Sequence, residues 1–191
     1  MSDGAAPSAV KLVAPALLLA FIAAVALAQP SYVSQHFEVY DYANAGESYL
    51  KAVATAMESA LEAVVGRGGS VARPCSGSRY TVNVVRISGG ERGFTEYQLV
   101  FDSAGQVKDA CIIRVNISTG LSETMLRATA YHEIIHVAQA GYFRYVGVSQ
   151  ARPWYIEASA EGFGSALSGV CVWAPYYFNY GLYRYNPYRF S

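Results

Sequence analysis

The stretch Tyr131-His132-Glu133-Ile134-Ile135-His136 sets two of the chain's three histidines four residues apart, with a glutamate directly after the first. On a helix, residues i and i+4 lie one above the other, with Cβ atoms roughly 5–6 Å apart. Both imidazoles then point the same way and can share one ligand between them, a geometry that suits a metal ion. His-Glu-x-x-His on a helix is the pattern in which two histidines bind zinc and the glutamate serves as general base. A catalytic zinc takes three protein ligands plus a water, with nitrogens at about 2.0–2.1 Å. The two histidines therefore call for a third ligand.

Glu157, in "PWYIEASAEGF", supplies one, 21 residues after His136. That is enough chain to turn off one helix and send the next back across its face. Glu161 follows four residues on, so both carboxylates project from one side of that helix. Ala158 and Ala160 keep the helix thin and would let it approach closely. The expected ligands of Zn2+ are thus His132, His136 and Glu157, with Glu133 as catalytic base. Glu161 is expected to accept a hydrogen bond from the non-ligating N–H of His132 or His136, which fixes tautomer and ring orientation.

Several elements must position these groups. The histidine pair needs a helix, and Ser122 is a good N-cap for it, with Glu123 in the first turn. Apolar residues recur through Met125, Leu126, Tyr131, Ile134, Ile135 and Ala138, and Gly141 is the expected stop. Pro153 suits the first position of a further helix, which runs to Gly169 and carries Glu157 and Glu161. Upstream, residues 46–65 have apolar positions at helical spacing, stopped by Gly66, Gly68 and Gly69. "SYVSQHFEVYDY", "RYTVNVVRI", "FTEYQLVFD" and "KDACIIRVNIS" read as strands, and the short turns between the last three suggest a hairpin-connected sheet. The expected fold class is α+β: one helix, a small, mostly antiparallel sheet, then two helices. His36, alone in the first strand, reads as a surface or core-edge residue.

The ends of the chain and its composition place these elements. After Lys11 the run Leu12–Ala28 is almost purely apolar and closes on Ala26-Leu27-Ala28, which reads as a secretory signal with a small-residue cleavage site. It also reaches the lower length limit for an uncleaved membrane anchor. The expected organisation is residues 1–28 as signal peptide or anchor and residues 29–191 as one domain, secreted or held on the outer face of the membrane. An oxidising compartment permits disulfides. Cys75 and Cys111 flank strand candidates and are the favoured pair, leaving Cys171 as a buried free thiol or in a disulfide role. "NIS" at Asn116–Ser118 is a formal glycosylation acceptor. Net charge is zero and basic residues are scattered, which gives no footprint for nucleic acid. The tail over 170–191 holds six tyrosines, which line a cleft or pack over the core or a partner.

The pair "HEIIH … WYIEASAE" resembles the zincin metallopeptidases, and specifically the gluzincin branch, over roughly residues 119–168. There an HExxH helix is followed by a helix giving a glutamate ligand in a context such as W-x-x-E-[GA]-x-A. "HEIIHVAQAGYF" with "WYIEASAEGF" is more similar still to secreted gluzincin-like proteins with an HExxHxxQ helix. The resemblance implies His132, His136 and Glu157 as zinc ligands, Glu133 as base and Glu161 in the outer acidic place. It also implies hydrolysis of a peptide or protein substrate. One departure is that this sequence has no histidine after Glu157 to stabilise an oxyanion, so Tyr155, Tyr176, Tyr177, Tyr180 or an arginine would have to serve.

Two rival readings stand beside this one. In the first, His132 and His136 are ordinary residues of an amphipathic helix. In the second, zinc is bound without catalysis, in an extracellular binding or structural protein on a zincin scaffold. Glu133 argues against the second, because a metal kept only for structure closes its fourth position and needs no base.

Overall fold

The computed structural model describes residues 29–146 and 153–171. The expected signal segment and residues 172–191 of the tail lie outside the described residues. The elements run β1 (Tyr32–Val33), β2 (Phe37–Asp41), α1 (Glu47–Val65), β3 (Arg73–Pro74), β4 (Tyr80–Val85), β5 (Gly93–Phe101), β6 (Val107–Ser118), α2 (Glu123–Val146) and α3 (Pro153–Ser168). The class is α+β, as expected from the sequence, with three helices and six strands among the described residues. None of these helices is long and apolar enough to cross a membrane.

The sheet is mixed rather than mostly antiparallel. β2 pairs β4 in parallel, β4 pairs β6 in parallel, and β3 also lies parallel to β6. Only β1 with β2 and β5 with β6 run antiparallel. The first cause is α1, which lies between β2 and β4 in the chain; a crossover helix joins parallel neighbours. The second is that β4 and β5 do not pair across their Gly-Gly turn. Val115 of β6 is partnered by Val82 of β4 on one side and Thr95 of β5 on the other. The turn therefore carries the chain past the slot that β6 fills, and of these three strands only β5 and β6 form a hairpin. The first strand candidate likewise divides into β1 and β2, which fold back on each other.

Alternate strand residues (Phe37, Val39, Val82, Val84, Val115 and Ile117) are fully buried and join the apolar stripes of α1 and α2 in one core. Off that core, a polar ladder crosses the sheet. Arg114 Nε and Asn116 Nδ2 both donate to Glu96 Oε1, at 2.8 and 3.0 Å, and Asn83 Nδ2 donates to Asn116 Oδ1 at 3.4 Å. Asn116 is 4 % exposed. The glycosylation acceptor is thus a buried strand residue in the folded chain, not a surface loop.

Local chemistry explains most element ends. The Asp41 carboxylate accepts backbone N–H groups of Ala43, Ala45 and Gly46 at the entry to α1. Burial pushes its pKa up, but these donors outweigh burial and leave it below the ordinary value. Ser122 caps α2: its carbonyl accepts Leu126 N–H at 2.8 Å and its Oγ accepts Met125 N–H at 3.4 Å. Gly141 does not stop α2, which continues to Val146. A Cβ at Gly141 would meet Ala72 N at 3.0 Å and the Val71 carbonyl carbon at 3.2 Å. Glycine is there so that the 70–72 segment can lie on the helix, where Ala72 N–H donates to Val137 O at 3.1 Å. That packing outweighs the roughly 0.5–1 kcal/mol that a mid-helix glycine costs.

Cys75 and Cys111 form a disulfide beside the β3–β6 pairing, while Cys171 is a free and exposed thiol rather than a buried one. Closing a 36-residue separation constrains the unfolded chain by on the order of 3–4 kcal/mol in the chain-entropy account. A disulfide of this kind fits an oxidising compartment. His36 sits at the surface, its Nδ1 2.7 Å from Glu58 Oε2.

Candidate metal centre

α2 and α3 bring His132, His136 and Glu157 together. One ligand atom from each can be chosen so that all lie within 4.8 Å of one another. The two Nε2 atoms are 3.0 Å apart. Glu157 Oε2 is 3.4 Å from His132 Nε2, and its Oε1 is 3.6 Å from His136 Nε2. Ligands about 2.1 Å from a tetrahedral ion lie about 3.4 Å from one another. The three separations, two of them made by different oxygens of Glu157, bracket that value, and the group could hold a metal ion.

The close approach of α3 has a specific cause. A Cβ at Gly164 would meet His132 N at 3.2 Å and His132 Cα at 3.3 Å, so α3 lies on the backbone of α2 at His132 itself. Ala160 is fully buried in the same contact layer, whereas Ala158 is exposed and takes no part in it. The thinness expected from Ala158 is supplied by Gly164.

A different polar side chain faces the outer nitrogen of each histidine. Gln139 Nε2 donates to Ile156 O and to Ser159 Oγ, both at 2.9 Å. Ile156 O can only accept, which fixes the amide with Oε1 toward His136 Nδ1, 2.7 Å away. His136 must then carry its proton on Nδ1, leaving the Nε2 lone pair for a metal. Gln139, three residues after His136, had not been assigned this role from the sequence; one helical turn of spacing on the HExxHxxQ face was the available signal. Glu161 serves the other histidine. Its Oε2 stands 3.4 Å from His132 Nδ1, which is buried, lacks a hydrogen-bond partner and feels the carboxylate's charge without an aligned contact. Glu161 is itself 8 % exposed and accepts Ser165 Oγ–H at 3.1 Å.

The electrostatics follow from this crowding of carboxylates around imidazoles. Burial lowers the His132 pKa, but Glu157 and Glu161 beside it outweigh burial and raise it to about 9. His132 and His136 in turn hold Glu157 well below the usual carboxylate range. Without a metal the site favours a protonated His132 among carboxylates, and a divalent cation bound there would displace that proton.

Glu133, next to His132 in the chain, is held by a residue of the sheet. It is 2 % exposed, its Oε2 accepts the Thr95 hydroxyl at 2.8 Å, and burial pushes its carboxyl up from the ordinary value. A cleft of about 600 Å³ borders the site, lined by Gly90, Arg92, Phe94, His132, Glu133 and Glu157 among others. The sequence leaves the arginine that could face an oxyanion unnamed, and among the described residues Arg92 lines this cleft. Tyr155, 60 % exposed, borders a different groove with Ile135, Tyr142 and Phe163. Tyr176, Tyr177 and Tyr180 lie outside the described residues.

No family profile, no characterised protein and no solved structure matches this chain. The centre itself carries the functional reading.

Proposed function

We propose that this protein is a zinc-dependent peptidase of gluzincin-like type, secreted or anchored on the outer face of the membrane. The observation that carries the reading is the convergence of His132, His136 and Glu157 beside an open cleft, with Glu133 at its wall. A purely structural ion would be enclosed by four protein ligands. His132 and Glu157 line the cleft, which leaves a position for water. The Cys75–Cys111 disulfide supports the extracellular assignment.

Bound zinc would supply a water whose pKa is drawn toward about 7 and a Lewis acid for the scissile carbonyl. The chain's own groups do the rest. His136 and His132 present neutral nitrogens, the former held in its tautomer by Gln139. Glu133 takes the proton from the attacking water and passes it to the leaving amine. Its carboxylate is one position along the helix from His132, so base and ligand share one rigid frame. Arg92 in the cleft wall offers a cation for the developing oxyanion. No described strand pairs with the outer edge of β5, so an extended peptide can add there as a further strand.

The 2 % exposure of Glu133 favours a second reading, an extracellular binding or structural protein that keeps zinc without catalysis. Hydrolysis of a broad peptide library by wild type and by Glu133→Gln, at neutral pH, separates the two. The peptidase loses at least about 10²-fold on substitution with its zinc retained. A wild type that holds zinc and cleaves nothing establishes the second reading.

A further inference from the structure

Thr95 and Gly93 are two residues apart on β5 and therefore face the same side of the sheet. Glu133 lies between them. Thr95 Oγ1 is 2.8 Å from Glu133 Oε2 and 3.3 Å from the Glu133 carbonyl oxygen. The hydroxyl has one proton to give, and the shorter, charge-assisted contact takes it. At Gly93 a Cβ would stand 2.9 Å from Glu133 Oε1, 2.9 Å from Thr129 Cγ2 and 3.0 Å from Asn116 O. Any side chain there would displace the carboxylate. Both residues are fixed by the β5–β6 ladder, Gly93 opposite Ile117 and Thr95 opposite Val115.

We propose that Thr95 is a positioning residue for Glu133: it holds Oε2 and so commits Oε1, on the Gly93 side, to the cleft. The proposal rests on the peptidase reading for its catalytic consequence, but the clamp itself is a property of the chain. A carboxylate is nearly two-fold symmetric about its last torsion and can offer either oxygen. Donation to Oε2 breaks that symmetry. The oxygen left over is the one beside Gly93, a residue that lines the same cleft as Glu133. A base displaced by about 1 Å can cost about 10² in rate, and one hydroxyl on a rigid strand prevents this. β5 thereby has two tasks, offering its outer edge to substrate and orienting the base with its inner face.

Thr95→Val keeps the shape and removes the donor; Thr95→Ser restores the donor without the methyl group. In full-length, zinc-loaded protein we expect Thr95→Val to keep its metal and its KM within about twofold while kcat falls about 10–100-fold. Thr95→Ser should recover most of that loss. Independently of activity, the 13C-carboxyl resonance of Glu133, identified by its absence in Glu133→Gln, should move in Thr95→Val and return in Thr95→Ser. An unmoved resonance in Thr95→Val overturns the clamp, as does an equal loss of kcat in the Val and Ser variants. If zinc-loaded wild type hydrolyses nothing, the peptidase reading falls, and the resonance still decides whether Thr95 holds the carboxylate.

Discussion

Gly164 of α3 lies directly on the backbone of His132 in α2, where a Cβ would come within 3.2 Å of His132 N. Everything that α3 contributes to the centre depends on this contact. Glu157 and Glu161 lie seven and three residues before Gly164 and reach His132 from the same helix. Gly164→Val should push α3 outward and lengthen the 3.4 Å separation between Glu157 and His132. Overpacking of this kind costs about 1–3 kcal/mol of stability. We expect metal affinity to fall about tenfold or more, since each 1.4 kcal/mol of lost binding is tenfold. Competition titration with a chelator measures it. Affinity unchanged in a destabilised Gly164→Val would show that α3 does not set the ligand geometry.

Protons and metal should compete at His132. Its pKa in the metal-free protein is raised to about 9, so at pH 7 the ring is protonated there. A metal needs the neutral ring. Binding at pH 7 should therefore release about one proton, and affinity should rise with pH until about 9. Calorimetry in buffers of different ionisation enthalpy counts the proton. The metal-free fold behaves oppositely. A folded-state pKa above the unfolded value contributes stability that is fully present below about 6.5 and lost as pH rises through about 9. Proton-neutral binding at pH 7 would contradict a protonated His132 in the metal-free site.

Glu161 stands beside His132, and Gln139 occupies the corresponding place at His136. Glu161→Gln should keep the fold and reduce metal affinity roughly 10–100-fold, the usual cost of losing an outer partner. Gln139→Leu should give a separate loss of similar size through His136. The two losses should add when combined, because they orient different ligands. Chelator competition on the double variant tests this, and a double variant no worse than either single one would place both residues on the same histidine.

The helices and the clustering of His132, His136 and Glu157 were legible in the sequence because the information is local. The i, i+4 spacing of His132 and His136 and that of Glu157 and Glu161 translates directly into shared faces, and Ser122 and Pro153 mark helix starts by chemistry confined to one turn. Sheet order is not local. The Gly89-Gly90 turn looks the same whether β5 pairs β4 or passes to the far side of β6, and only the register around Val115 distinguishes them. Gly141 and Gly164 are both helix glycines whose purpose is a contact with a distant segment, with residues 70–72 and with His132 respectively. Propensity reads the first as a stop and says nothing of the second. Thr95 was hidden for the same reason: its partner Glu133 is 38 residues away.

The central claim is that three side chains, not two, hold one metal ion. Elemental analysis of the purified protein after zinc loading and exhaustive dialysis tests it most directly, with Glu157→Ala alongside. We expect about one zinc per chain in wild type, and in Glu157→Ala a site that dialysis empties, because two histidines leave a catalytic zinc short of its third protein ligand. Wild type that retains no zinc, or a Glu157→Ala variant that retains as much as wild type, would contradict the assignment of His132, His136 and Glu157 as a metal centre.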